Sequence, residues 1–368
     1  MNTFQVLGNS LRTPSSRRVV CFASIATATL VALSGSIFAG PLNPPTSAVS
    51  STYKTLDEVE PRIIINQTNT PGDPGAVFLI TQPGSYYLTG NVIGQAGKTG
   101  IRIKASCVKL DLMGFHVIGV AGAVNGIDCA VAINPSIRNV EVCNGCVRGW
   151  QNGIDLSSTT ATNVIIDDIR ASDNSIHGIA AGNGSLITKC VAFANGTTGT
   201  LTFGGIYCGS YGTIIGCTSY NNGGDGIFAN TGCTVVDCNL SQNLGAGIQI
   251  TTNCTVRGNT CIENGFGGGP VTANILAGLA NGSIGNNRID GNTCTGADNG
   301  IQVASTGNFI VRNICSHNTT NNWLINPGNA VGPIQVAITN AALIPGNSYG
   351  AAGVLGPAST DPNCNFTY

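Results

Sequence analysis

The chain has 368 residues, of which 42% are hydrophobic and only 9% charged, with a formal net charge of −1. Its Lys and Arg residues are scattered and form no basic patch, which argues against a protein held to nucleic acid by phosphate contacts. Fifty-one glycines would suit a low-complexity chain, but the apolar residues recur at a fixed period and so argue for a packed core.

Arg12, Arg17 and Arg18 precede an apolar run from Val19 to Leu33, and Ser36-Ile-Phe-Ala39 ends in a small residue suited to a signal peptidase. Residues 1–39 are therefore expected to be a cleaved secretory signal, with an uncleaved membrane anchor as the alternative. The expected location is secreted, periplasmic or cell-surface. No later stretch is apolar for long enough to span a membrane. Residues 40–60 start with Pro41-Leu-Asn-Pro-Pro and are expected to form an extended lead-in. Ile63-Ile-Ile, Val77-Phe-Leu-Ile and Tyr86-Tyr-Leu predict strands, so residues 61–99 are expected to make an N-terminal cap and a first coil.

Residues 100–322 carry the repeats. One phrase returns as Gly153-Ile-Asp-Leu, Gly178-Ile-Ala-Ala, Gly205-Ile-Tyr-Cys, Gly226-Ile-Phe-Ala and Gly247-Ile-Gln-Ile, at intervals of 25, 27, 21 and 21 residues. Asn174, Asn195, Asn222, Asn243 and Asn264 follow at 21, 27, 21 and 21, and Cys190, Cys217, Cys238 and Asn259 at 27, 21 and 21. Three columns with a common base period define a solenoid. Each coil holds short β-branched runs such as Thr213-Ile-Ile and Thr234-Val-Val, without an amphipathic helical stretch or a dense Leu pattern. That excludes helical and leucine-rich repeats. The expected fold is an all-β, single-stranded parallel β-helix of about nine or ten coils, right-handed by the crossover rule and capped at both ends.

Within the phrase, the Ile and the fourth residue are apolar or small in each copy and should point inward, so the third residue points outward. The Gly and Asn positions are expected at corners that want positive φ. Between Asn264 and Gly300 the register blurs, and either Ala273-Asn-Ile-Leu or Gly278-Leu-Ala could be the strand. Residues 323–368 turn Pro- and Gly-rich around Ile334-Gln-Val-Ala-Ile, which suits a C-terminal cap.

Ile80-Thr-Gln-Pro-Gly-Ser-Tyr-Tyr-Leu-Thr-Gly-Asn91 resembles the opening coil of right-handed parallel β-helix proteins of the pectin lyase-like class, and the resemblance runs to about residue 320. The segment from Gly40-Pro-Leu-Asn-Pro-Pro to Glu60-Pro-Arg is similar to secreted bacterial proteins of that fold, a group that implies an architecture and no particular activity. Enzymes of the class show either an acidic calcium cluster with a basic residue or a set of Asn-Thr-Asp, Asp-Asp, Gly-His-Gly and Arg-Ile-Lys. This chain has Asp167-Asp168 and His177-Gly178 but lacks the other members, so no catalytic role carries across.

The chain has fifteen cysteines. They could form buried thiol columns or, in an exported protein, disulfides such as Cys217 with Cys238 and Cys233 with Cys254. The outward column of the first sheet runs Arg102, Asp128, Asp155, Ala180, Tyr207, Phe228, Gln249 and Gln302, and a flanking column includes His177 and Asp225. Asp128, Asp155 and His177 are the catalytic candidates. Arg102, Tyr207, Asp225, Phe228 and Gln249 are the substrate-binding candidates, because aromatic faces take sugar rings and polar groups take hydroxyls. Asp128 and Asp155 could act as a carboxylate pair or share a Ca2+, or Arg102 could simply neutralise Asp128. Apart from that Ca2+, no cofactor or metal is expected.

Three functions remain open at this point. The first is polysaccharide binding or a structural role at the cell surface, and the second is a polysaccharide lyase or glycoside hydrolase. The third is a copper-site accessory protein, for which three His and two Met leave too few soft ligands.

Overall fold

The Gly-Ile-x-y phrase forms a short strand in each coil, and each strand pairs in parallel with its equivalent one coil away. Ile127, Ile154, Ile179, Ile206, Ile227 and Ile248 follow one another in register. All six are buried, as alternation of side chains across a strand requires. Ile101 extends the stack at one end, and Ile275, Ile301 and Trp323 extend it at the other. Ile275 lies in Ala273–Ala277, so the first of the two alternatives supplies the strand of the blurred coil. In the computed structural model, which describes residues 60–129, 137–157, 161–196, 204–266, 273–278, 283–336 and 361–368, these coils make an all-β, right-handed parallel β-helix of about ten turns. A 12-stranded sheet carries the Ile stack, and a 22-stranded sheet wraps the other faces. The expected signal (1–39), almost all of the lead-in, and the segments 197–203 and 267–272 lie outside the described residues.

The corners show why the repeat reads as it does, and they correct one expectation. Positive φ falls neither on the ladder Asn nor on the Gly of the phrase. It falls on the residue before each ladder position: Asp173, Ala194, Asn221, Gln242 and Glu263 precede the five repeating Asn residues. The chain turns there, and the next side chain points into the coil. Asn174, Asn195, Asn222, Asn243 and Asn264 are all buried, and each Nδ2 donates to Oδ1 of the next at 2.8–3.1 Å. Each Oδ1 from Asn195 onward also accepts the backbone N–H of the preceding rung. The Gly of the phrase is required by this ladder, since a Cβ on Gly153, Gly178, Gly226 or Gly247 would sit 2.7–2.8 Å from a ladder Nδ2.

Five of the cysteines occupy the other two corner columns. Cys190, Cys217 and Cys238 are buried, and the column passes to Asn259, Asn292, Asn313 and finally Asn365, linked amide to amide at 2.9–3.2 Å. Cys233 and Cys254 likewise pass to Asn287 and Asn308. At these sites the sulfur does what the amide does elsewhere: Cys238 Sγ accepts the Cys217 N–H at 3.4 Å, and Cys254 Sγ donates to the Asn230 carbonyl at 3.0 Å. Among the described residues no disulfide joins the corner cysteines. Hydrogen bonding with Cys190, together with burial, pushes the Cys217 thiol up to about 12, which keeps it protonated and unreactive.

At the N-terminal end Pro71–Asp73 pairs antiparallel with Ala76–Ile80, and Ile63–Ile64 joins Gly84–Tyr87. At the other end parallel pairing continues past residue 322, through Asn321–Ile325 and Ala330–Val331. The chain end Asn365–Thr367 then comes back between Ile314–Ser316 and Ile334–Val336, taking the place of the next rung.

Candidate functional site

The outward line is assembled in the order the sequence implies. Arg102, Asp128, Asp155, Ala180, Tyr207, Phe228, Gln249, Leu276 and Gln302 are register neighbours on successive coils. Leu276 was hidden by the blurred register; it follows Ile275 as Gln302 follows Ile301. The line is not evenly open to solvent, however. Asp128, Ala180, Gln249 and Leu276 are buried, whereas Arg102, Asp155, Tyr207, Phe228 and Gln302 are half-buried.

At the N-terminal end of the strip the side chains bond to one another. Arg102 grips Asp128 with two donors, Nε to Oδ1 at 2.8 Å and Nη2 to Oδ2 at 2.9 Å. The same Oδ2 accepts the Thr99 hydroxyl at 2.7 Å and the Asn125 amide at 3.3 Å. A carboxylate held by four donors is a structural anchor. Both oxygens are thus engaged, Oδ1 by one donor and Oδ2 by three. Asp155 instead turns back on its own chain, where Oδ1 accepts the Ser157 hydroxyl at 2.7 Å and N–H at 3.2 Å.

The middle of the strip is aromatic. His177 lies 5.8 Å from Tyr207, tilted by 40°, and Tyr207 lies 5.7 Å from Phe228 with the planes only 11° apart. Tyr207 and Phe228 are register partners on parallel strands one coil apart, which sets their spacing, and His177, just before the preceding strand, adds a third ring beside Tyr207. Burial pushes the His177 imidazole down to about 4 against the opposing pull of the Asp155 charge, and its Nδ1 accepts the Gly204 N–H at 3.4 Å. At neutral pH it is an uncharged ring.

Asp225, expected on the rim of the strip, is buried instead. Its Oδ1 accepts the Ala246 N–H at 2.7 Å, and burial pushes the carboxyl up to about 7. The room for it comes from glycine: a Cβ on Gly245 would sit 2.4 Å from that oxygen. Asp167 lies on the other sheet, bonded to Thr188 and Lys189. Cys143 is buried, and desolvation pushes its thiol up to about 11, which is the opposite of an activated redox cysteine. Among the described residues no group of three His, Cys, Asp or Glu could hold a metal ion.

No protein family profile matches the chain, and no curated protein does. Solved structures do match. The Dettilon tailspike protein superposes with a TM-score of 0.52 at 16% identity, covering 79% of this chain and 60% of its own. The catalytic domain of Agl-KA gives 0.51 at 13% identity, over 66% of this chain and 51% of that one. What they share with this chain is the right-handed parallel β-helix. Full-length tailspike protein 2 from the Escherichia coli O157:H7 bacteriophage CAB120 gives 0.50 at 15% identity, over 70% of this chain and 42% of that one. The chain therefore spans between two fifths and three fifths of the length of these structures, and the likeness is one of fold.

Proposed function

We propose that this is a secreted protein that binds polysaccharide chains on the ring platform of its first sheet, as a binding or cell-surface structural component. The observation that carries the reading is the alignment of His177, Tyr207 and Phe228 on three successive coils, with ring centroids 5.8 and 5.7 Å apart. Sugar rings present apolar faces that stack on such rings, and burying that area contributes more than exposed hydroxyl hydrogen bonds, which largely trade with water. Asp155, half-buried two coils before Tyr207 on the same line, offers a polar partner on that side. An export route suits the reading, and among the described residues no helix is long and apolar enough to cross a membrane.

A lyase or glycosidase reading would rest on Asp155 and His177 alone, because Asp128 is occupied by Arg102 and Asp225 is withdrawn from the strip. One comparison separates the two readings. Replacing Tyr207 and Phe228 together by Ala should weaken glycan binding by about tenfold or more, while Asp155→Asn should leave it nearly unchanged. Isothermal titration against a polysaccharide bound by the native protein checks both. Appearance of unsaturated products or reducing ends that Asp155→Asn abolishes would instead establish catalysis.

A further inference from the structure

The charge along the platform narrows the ligand class. Arg102 lies on the strip but is committed to Asp128, and Lys104, just beyond it on the first coil, pairs with Asp73 at 3.1 Å. Between His177 and Trp323 the sequence holds four cations, Lys189, Arg257, Arg288 and Arg312. All four lie on the other sheet or its corners, in or beside Leu186–Thr188, Thr255–Arg257, Arg288–Asp290 and Phe309–Val311. Residues 197–203, 267–272 and 279–282 also include no Lys or Arg. His177 adds no positive charge at neutral pH. The charged group that remains on the line beside the rings is the carboxylate of Asp155.

We infer that the platform takes neutral polysaccharides and rejects polyuronates and other anionic chains. This rests on the binding reading above and adds the ligand class to it. A uronate carboxylate is recognised by a guanidinium, an ammonium or a bridging cation. On this face it would meet uncharged rings and one like charge. The ring stack selects by apolar contact, which depends little on ionic strength, so neutral glycan binding should persist in salt.

The test uses the purified chain against soluble neutral polymers (a β-glucan, a mannan and a xylan) and against polygalacturonate and alginate, with and without Ca2+. The expected result is binding to at least one neutral polymer, with affinity constant within about twofold between low salt and about 0.5 M NaCl, and loss of about tenfold or more when Tyr207 and Phe228 are both Ala. Polyuronate binding that the double substitution abolishes would overturn the inferred class while leaving the platform in place. Neutral binding untouched by the double substitution, or no binding to any polymer of the panel, would overturn the platform and the inference with it.

Discussion

The coils before Asn174 and the coils after it fill the same corner by different means. Before it, one indole does the work. Trp150 is buried, its Nε1 donates to the Val117 carbonyl at 3.1 Å, and its backbone N–H enters the ladder by donating to Asn174 Oδ1 at 3.0 Å. Its ring fills the space that a Cβ would need at Gly94, Gly100 and Gly126, and so serves more than one coil. After it, each coil contributes its own amide. A ring that spans several coils cannot recur in each of them, whereas an amide fits a single coil and passes its hydrogen bond to the next. The buried acids differ in the same way. Asp128 sits inside a cage of Arg102, Thr99 and Asn125, while Asp225 has one backbone N–H and burial pushes its carboxyl up to about 7.

The largest effect should come from Trp150→Ala, which empties a cavity shared by several coils and should cost about 3–5 kcal/mol. Because solenoids lose structure by segments, hydrogen exchange in the coils around Gly94 to Gly153 is the better measure. A loss below about 1 kcal/mol, or one spread evenly over all coils, would break the contrast between the two halves.

A middle-sized effect should come from Asp225→Asn, and its sign depends on pH. The folded carboxyl sits near 7, above its ordinary value of 3.8, so the native state holds a proton that the unfolded chain has lost. That stabilisation is complete at low pH and is lost as pH rises from about 4 to about 7. His177 runs the other way: lowered from 6.5 to about 4, it makes stability rise across nearly the same window. The two offset one another in the native protein. Asp225→Asn should therefore match the wild type near pH 4, exceed it at pH 8 by on the order of a few kcal/mol, and reveal a rising slope between about 4 and 6.5. Identical melting profiles for the two proteins from pH 4 to 8 would mean that Asp225 is not held protonated.

The smallest effect should come from Cys238→Asn. Asn259 already follows it in the column, so an amide at 238 could accept the Cys217 N–H and extend the ladder by one rung. Stability within about 1 kcal/mol of wild type is expected from equilibrium denaturation. A loss above about 2 kcal/mol would show that thiol and amide are not interchangeable there.

Much of this was legible from the repeats. The Ile stack and the outward line follow from a two-residue alternation locked in register by a recurring phrase. The corners were less so, because left-handed backbone falls on Ala194, Gln242, Glu263 and Lys189, side chains with no preference for it. The fold imposes that conformation through the ladder residue that follows. The glycines were visible, but their cause was not: what excludes a side chain at Gly226 is an amide from Asn243, seventeen positions on, rather than a turn of its own. Asp225 read as a surface acid because nothing local reveals that Gly245, one coil away, leaves room for its carboxyl. That Arg102 grips Asp128 was one of three readings of the spacing, and its bidentate geometry is not legible from sequence.

The amide ladder also bears on how such a chain can change length. Every rung from Asn195 to Asn264 accepts from the rung before it and donates to the rung after it, so its two faces are complementary to each other. A 21-residue block such as the one from Asn222 to Gln242 is thus a self-matching module. Copying or excising it rejoins donor to acceptor and Ile to Ile, leaving the Trp150 end and the returning Asn365 end as they were. Duplication can lengthen the ring-bearing face in steps of one coil, so the extent of that face becomes a quantity that selection can count.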